Sequence, residues 1–181
     1  SMKSTRFAFG RALALLCTLL FVSFSFMSCQ TETDTEYVDN YIYVLPLDSS
    51  SALIGDWISS YGEKYSITST DYDNYSHYDS SYNYDAGNWY LYYSTNNLYV
   101  YADSDTTGYI YCQFDDEDYI GYGATVNQWY AIRYKDLTSS SVSLSQAYKT
   151  TGIAGADSLE EAVTEFTVAN GYFSSYSECA K

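Results

Sequence analysis

Proline occurs once in the 181 residues, at position 46, and histidine once, at position 77. Basic side chains number eight against 23 acidic ones. One histidine set among Tyr, Ser and Asp leaves a serine or cysteine nucleophile without an evident base, and no G-x-S-x-G turn is present. His77 therefore reads as a solvated loop residue, and no catalytic residue is assigned. Binding phosphate backbones needs a positive surface, so nucleic acid is excluded as a partner. The four cysteines include no C-x-x-C pair, which removes the usual redox and zinc patterns; neither metal nor cofactor is expected. Leu, Ile, Val and Phe supply only 26 of the 153 residues from Cys29 onward, about 17%, which in a strongly charged chain ordinarily means disorder. Tyrosine reverses that reading. All 24 Tyr and all three Trp lie in this part, and their rings can build a core while their polar tips stay wet.

The first 28 residues differ in kind from the rest. Lys3, Arg6 and Arg11 precede an apolar run of about 15 residues, then come Phe26, Met27, Ser28 and Cys29, the order of a secretory signal peptide. At 1.5 Å per residue such a run spans roughly 22 Å, short of the ~30 Å hydrocarbon core of a bilayer. A small Ser directly before Cys29 resembles a bacterial lipobox, although Phe26 stands where an aliphatic residue is commonest. That resemblance implies that Cys29 is the lipid anchor, acylated by chains such as palmitate, with the membrane as a partner and attachment effectively permanent. Gln30 after the Cys, followed by acidic Glu32, Asp34 and Glu36, resembles outer-membrane and surface lipoproteins. From Cys29 onward five basic and 23 acidic side chains leave a net charge near −18.

Residues 29–50, polar and charged with Pro46 and the serines at 49–51, read as a flexible tether, with Tyr41–Val44 as a possible edge strand inside it. Residues 51–181 read as the folded domain. Once Cys17 leaves with the signal and Cys29 is lipidated, Cys112 and Cys179 remain. Either they form one disulfide, contributing about 4 kcal/mol in the chain-entropy model, or they are two unpaired thiols.

From Ser51 the chain runs in short aromatic segments about ten residues apart, separated by Gly, Asn, Asp and Ser. These are 53–59, 64–70, 88–93, 98–102, 108–114, 119–122, 128–135 and 141–148, with a turn expected at Ser94–Asn97. The pattern predicts a mainly β fold, an antiparallel barrel or sandwich of about eight strands. Alternation puts Ile110, Cys112 and Phe114 on one face and Tyr109, Tyr111 and Gln113 on the other. One C-terminal helix is expected over about 158–169: Ser158 and Glu161 make a capping box, Leu159, Ala162, Val163 and Phe166 an apolar stripe, and Asn170-Gly171 a stop. Gly171 to Cys179 then returns as a strand or strap.

Gly55-Asp56-Trp57 on the first strand resembles the G-x-W signature of lipocalins. LIGDWISSYGEKYSIT, TGYIYCQF, WYAIRYKDLT, SVSLSQAY and the C-terminal SLEEAVTEFTVANGYFSSYSEC resemble small lipocalin-like lipoprotein domains of spirochaetes and related bacteria. The resemblance covers about residues 53–180. It implies a barrel, a cell-envelope location, and a Trp57 that closes one barrel end beneath a cation from a late strand, for which Arg133, the sole Arg after the signal, is the candidate. It brings no agreed reaction or ligand. The stretch from Asp71 to Asp85 has no counterpart in that pattern.

Two acidic runs read as turns: Asp103–Gly108 starts like a calcium loop but has Phe114 where a bidentate Glu is required, and Asp115–Asp118 is a solvated turn or a weak cation site. Tyr72, Tyr75, Tyr78, Tyr82 and Tyr84, interleaved with Asp, Asn and Ser, have the composition of a paratope and are the candidate binding residues. The expected function is a non-enzymatic, lipid-anchored binding module of the outer membrane or cell surface. Its partner would be a small apolar ligand in the barrel, or a host glycan or host protein at the Tyr-rich loop. A structural or antigenic surface lipoprotein without a pocket is the alternative.

Overall fold

A computed structural model describes residues 36–38, 42–115 and 123–181. The signal segment, Cys29 and the run 116–122 lie outside the described residues. The strands are β1 (Glu36–Val38), β2 (Ile42–Pro46), β3 (Gly55–Ser59), β4 (Glu63–Ile67), β5 (Tyr72–Ser76), β6 (Tyr90–Ser104), β7 (Thr107–Phe114), β8 (Trp129–Lys135), β9 (Ser141–Gln146) and β10 (Ser177–Ala180). The helix α1 (Leu159–Glu165) lies between β9 and β10.

Strands β3 to β10 each pair antiparallel with the next, and β10 returns to β3 through Cys179↔Ser59 and Ala180↔Ile58. The result is a closed, eight-stranded up-and-down barrel with no free edge among those eight. Strand β2 pairs with the second half of β6, at Leu45↔Val100 and Pro46↔Tyr99, beyond the stretch that β5 occupies. Val44 and Leu47 are buried there, so packing begins inside the segment read as a tether. Apolar Val44 and Leu47 have somewhere to go only because β6 is long enough to take two partners on one side.

The turn expected at Ser94–Asn97 is not a turn. Strand β6 runs through it for 15 residues, with a bulge between Asn96 and Tyr99 and Asn97 at φ 52°. The polar side chains that suggested a loop bond across the sheet instead: buried Thr95 Oγ1 donates to the Tyr72 carbonyl at 2.9 Å, and Asn97 Nδ2 to Gln113 Oε1 at 2.6 Å. Asn tolerates the left-handed region, so the bulge bends the strand without breaking it. The acidic run at Asp103 does turn, at Asp105–Thr106 between β6 and β7.

Alternation decides the core. Trp57, Tyr65, Ile67, Tyr72, Tyr93, Ile110, Phe114, Tyr130, Ile132, Val142 and Leu144 share the inward face and are all buried. Rings therefore fill the lumen: Tyr72 lies 5.9 Å from Tyr65 and 6.2 Å from Tyr93, and Phe114 lies 4.9 Å from Tyr130. On β7 the outward Tyr109 and Tyr111 are buried too, Tyr109 being covered by Phe173 at 5.6 Å.

Helix α1 is shorter than its pattern. Ser158 Oγ accepts from Glu161 N at 3.1 Å, and Glu161 reaches back to the Asp157 N–H at 2.7 Å. Leu159, Ala162 and Val163 face inward. The Asn170 side chain donates to the carbonyls of Thr164 and Glu165, which satisfies the helix end early and releases the chain at Phe166.

Of the two alternatives for the cysteines the structure has the unpaired one, and the Trp57–Arg133 contact implied by the resemblance does not form. Cys112 and Cys179 are free, buried thiols on β7 and β10, strands separated in the barrel by β8 and β9. Sharing an inward parity did not bring them together, because parity fixes the face and not the position around the circumference. Trp57 is fully buried, with its indole N–H donating to the Leu53 carbonyl at 2.7 Å, but the cation over its ring is Lys181, at 4.3 Å. Arg133 instead stacks on Tyr109 at 4.1 Å and pairs with Asp103. Its register opposite Tyr109 on the outward parity commits it to the outer surface.

Candidate binding site at the long-loop end of the barrel

An up-and-down barrel sends alternate connections to opposite ends. Short turns link β4 to β5, β6 to β7 and β8 to β9 at one end, where Leu53 and Trp57 are packed. The opposite end carries residues 77–89 after β5 and 147–176 after β9. Long connections over a rigid barrel are the usual carriers of binding.

Residues 77–89 are tightly organised. Asp79 Oδ1 accepts from the backbone N–H of Ser81 at 2.8 Å and of Asn83 at 2.9 Å, and the Asn83 amide donates to its other oxygen at 3.0 Å. Those bonds, the Asn83 amide foremost, hold the Asp79 carboxyl below its ordinary range. Tyr82 sits at the bend with φ 62° and is 84% exposed. A second turn is held by Asp85, and His77 stacks on Trp89 at 3.9 Å with its Nδ1 2.7 Å from the Asn88 carbonyl oxygen. His77 is thus half-buried against a ring, where the sequence suggested plain solvation.

The five candidate tyrosines do not form one surface. Tyr72 is fully buried in the lumen, because it shares the inward parity of β5 with Asn74. Tyr75 has the opposite parity, lies under Lys64 at 4.2 Å on the outer wall, and donates to Asp73 at 3.3 Å. Tyr84 packs against Tyr78, with ring centres 5.2 Å apart. Tyr78 and Tyr82 line a cavity of about 180 Å³, together with Glu63, Asn74, Ser76, Asp79 and Tyr92. Beyond Tyr92 lies a second cavity of about 240 Å³, bounded by Tyr93, Phe114, Tyr130 and the segment from Gln146 to Ala154.

Asn74 Nδ2, buried at this end, has no hydrogen-bond partner among the described residues, and the Tyr72 and Tyr93 hydroxyls lie within reach of each other in the lumen. Asn74 lines the smaller cavity and Tyr93 the larger. Burial lifts both phenols well above their ordinary pKa, so they remain neutral donors. Glu63, at the start of β4, accepts from Tyr65 OH at 2.6 Å and Ser177 Oγ at 3.2 Å. Glu63, Asn74, Tyr92 and Tyr93 were not singled out in the sequence; the adjacent Tyr92-Tyr93 pair, in a strand that alternates elsewhere, was the available signal. Among the described residues no three His, Cys, Asp or Glu side chains are grouped to hold a metal ion.

The chain matches no family model, no curated protein and no solved structure. The functional reading accordingly rests on its own residues and geometry.

Proposed function

We propose that this protein is a non-enzymatic binding module that takes a small ligand at the end of its barrel that carries the long connections, on a lipid-anchored domain of the cell envelope. The observation that carries the reading is the pair of cavities meeting at Tyr92, the smaller of them lined by Asn74, whose buried amide nitrogen has no hydrogen-bond partner among the described residues. An unpaired buried polar atom costs about 1–3 kcal/mol, a cost that a ligand supplying the missing bond offsets. The site is at the mouth and not in the lumen, which aromatic rings fill. Each cavity is smaller than the ~300–1,000 Å³ typical of drug-sized ligands, so the ligand is compact, or inserts only one end. Against an enzymatic role stand the engagement of His77 with Trp89 and the burial of both thiols, which pushes each up to about 12. Acylation at Cys29 and the envelope location are read from the sequence.

The test is fluorescence titration with Nile red, a neutral probe that brightens in apolar surroundings. One saturable site per chain is expected, lost in Ala154→Trp, which fills the larger cavity, with the melting curve retained. Absence of saturable binding, or binding indifferent to Ala154→Trp, favours the alternative of a surface lipoprotein without a pocket.

A further inference from the structure

We propose that the smaller cavity binds an organic ammonium group, an alkylated amine carrying a hydroxyl or carbonyl oxygen on a short arm. This rests on the binding reading above and specifies its ligand. The cavity joins the carboxylates of Glu63 and Asp79 to the rings of Tyr78, Tyr82 and Tyr92, and among the described residues no cationic side chain lines it. The nearest basic neighbour in sequence, Lys64, has the outward parity of β4 and is held over Tyr75 and Trp89 on the outer wall, leaving Glu63 on the cavity side.

Negative charge and π faces together select for a cation, and the rings favour one that sheds water easily, as alkylated ammonium groups do. A bare divalent metal would need six or more oxygen ligands in a fixed shell, and no such grouping stands there among the described residues. Asn74 supplies the second half of the recognition. The residue lines the cavity and is 3% exposed, and its amide nitrogen is a donor with no partner among the described residues. It asks for an oxygen acceptor, which a lone tetraalkylammonium lacks and an amino alcohol or betaine-like ligand has. The formal net charge of −15 concentrates cations around the domain and steers them in.

The experiment titrates the full chain with choline, with 3,3-dimethylbutan-1-ol, which is its neutral carbon isostere, with tetramethylammonium, and with methyl glucoside, following amide resonances in ¹H–¹⁵N spectra. Choline should shift the Asn74 side-chain amide saturably and bind at least about tenfold more tightly than the neutral isostere, with the advantage shrinking as salt rises. Glu63→Gln keeps an acceptor for Tyr65 OH and should weaken choline about tenfold. Tyr82→Ala removes an exposed ring and should weaken it several-fold without moving the melting temperature. Asn74→Leu should erase the preference for choline over tetramethylammonium.

Equal binding of the isostere, or methyl glucoside acting on the Asn74 amide where choline does not, overturns the ammonium assignment and leaves a binding mouth standing. Nile red binding without choline binding does the same. If neither choline, glucoside nor Nile red touches the mouth, the binding reading falls together with this one.

Discussion

Truncating Trp57 tests the barrel where the structure departs most from the resemblance. The side chain is fully buried, and Trp→Ala in a core typically costs about 3–5 kcal/mol. The Leu53 carbonyl, which accepts the indole N–H at 2.7 Å, would also lose its partner, so about 4–5 kcal/mol is expected for Trp57→Ala and about 2 kcal/mol for Trp57→Phe, which keeps a ring but not the donor. For about 140 residues, at roughly 2.1 cal/mol/K each, 1 kcal/mol shifts Tm by about 3 °C. Thermal melts by far-UV circular dichroism should therefore fall by about 12–15 °C for Ala and about 6 °C for Phe. Urea unfolding of a double-mutant cycle with Lys181→Ala then isolates the contact over the ring, expected at about 0.5–1 kcal/mol. A Trp57→Ala cost below ~1.5 kcal/mol would mean that the ring is not packed as described. Coupling of Trp57 to Arg133→Met, with none to Lys181, would restore the lipocalin-type pairing and refute the assignment of the cation.

The remaining predictions follow from burial, capping and the anchor. Burial pushes the Cys112 and Cys179 thiols from an ordinary 9.0 up to about 12, so the native state keeps protons that the unfolded state releases. Stability should hold below pH 9 and decline between about pH 9 and 12, with the raised Tyr65, Tyr72, Tyr93 and Tyr111 adding to the fall above pH 10. Urea titrations across pH measure this, and a stability that stays flat to pH 11 counts against the burial. At pH 8 neither thiol should react with Ellman's reagent until denaturant is added, when both should. Ser158→Ala removes the acceptor for the Glu161 N–H and should cost about 1 kcal/mol in chemical unfolding, with Ser158→Asp near neutral. Cys29→Ser should move the protein from the membrane fraction to the soluble one, and intact mass of the extracted parent should show acyl chains on Cys29; a mature mass without them removes the anchor.

Local rules carried far in some places. In β7 the inward Ile110, Cys112 and Phe114 could be read from alternation, and Ser158 and Glu161 announced the start of α1, because both depend on spacing within a few residues. Where partners distant in the chain compete, those rules ran out. The serine, threonine and asparagines at 94–97 have turn composition, yet Tyr72 and Gln113 offer them bonds inside a continuous strand. The helix ends early because Asn170 folds back on it, a contact between two segments that propensity does not see.

The binding residues divide in the same way. That Tyr78 and Tyr82 stand in a polar, aromatic loop was visible in composition; that Tyr72 belongs to the core and Tyr75 to the outer wall follows from where β5 begins, since a shift of one residue exchanges the two faces. The sequence by itself determined a mainly β, aromatic-rich domain, its acidity and the candidate lipid anchor, because composition and short-range periodicity are properties of the chain alone. Only the tertiary pairing of the strands, closed by β10 on β3, decided the rest: which strands became neighbours, that the ring is a barrel, which cation covered Trp57, why the two thiols stay apart, and that Glu63, Asn74 and Tyr92 meet at one mouth. Those are distances around a ring of eight strands, and such distances exist only once the ring is closed.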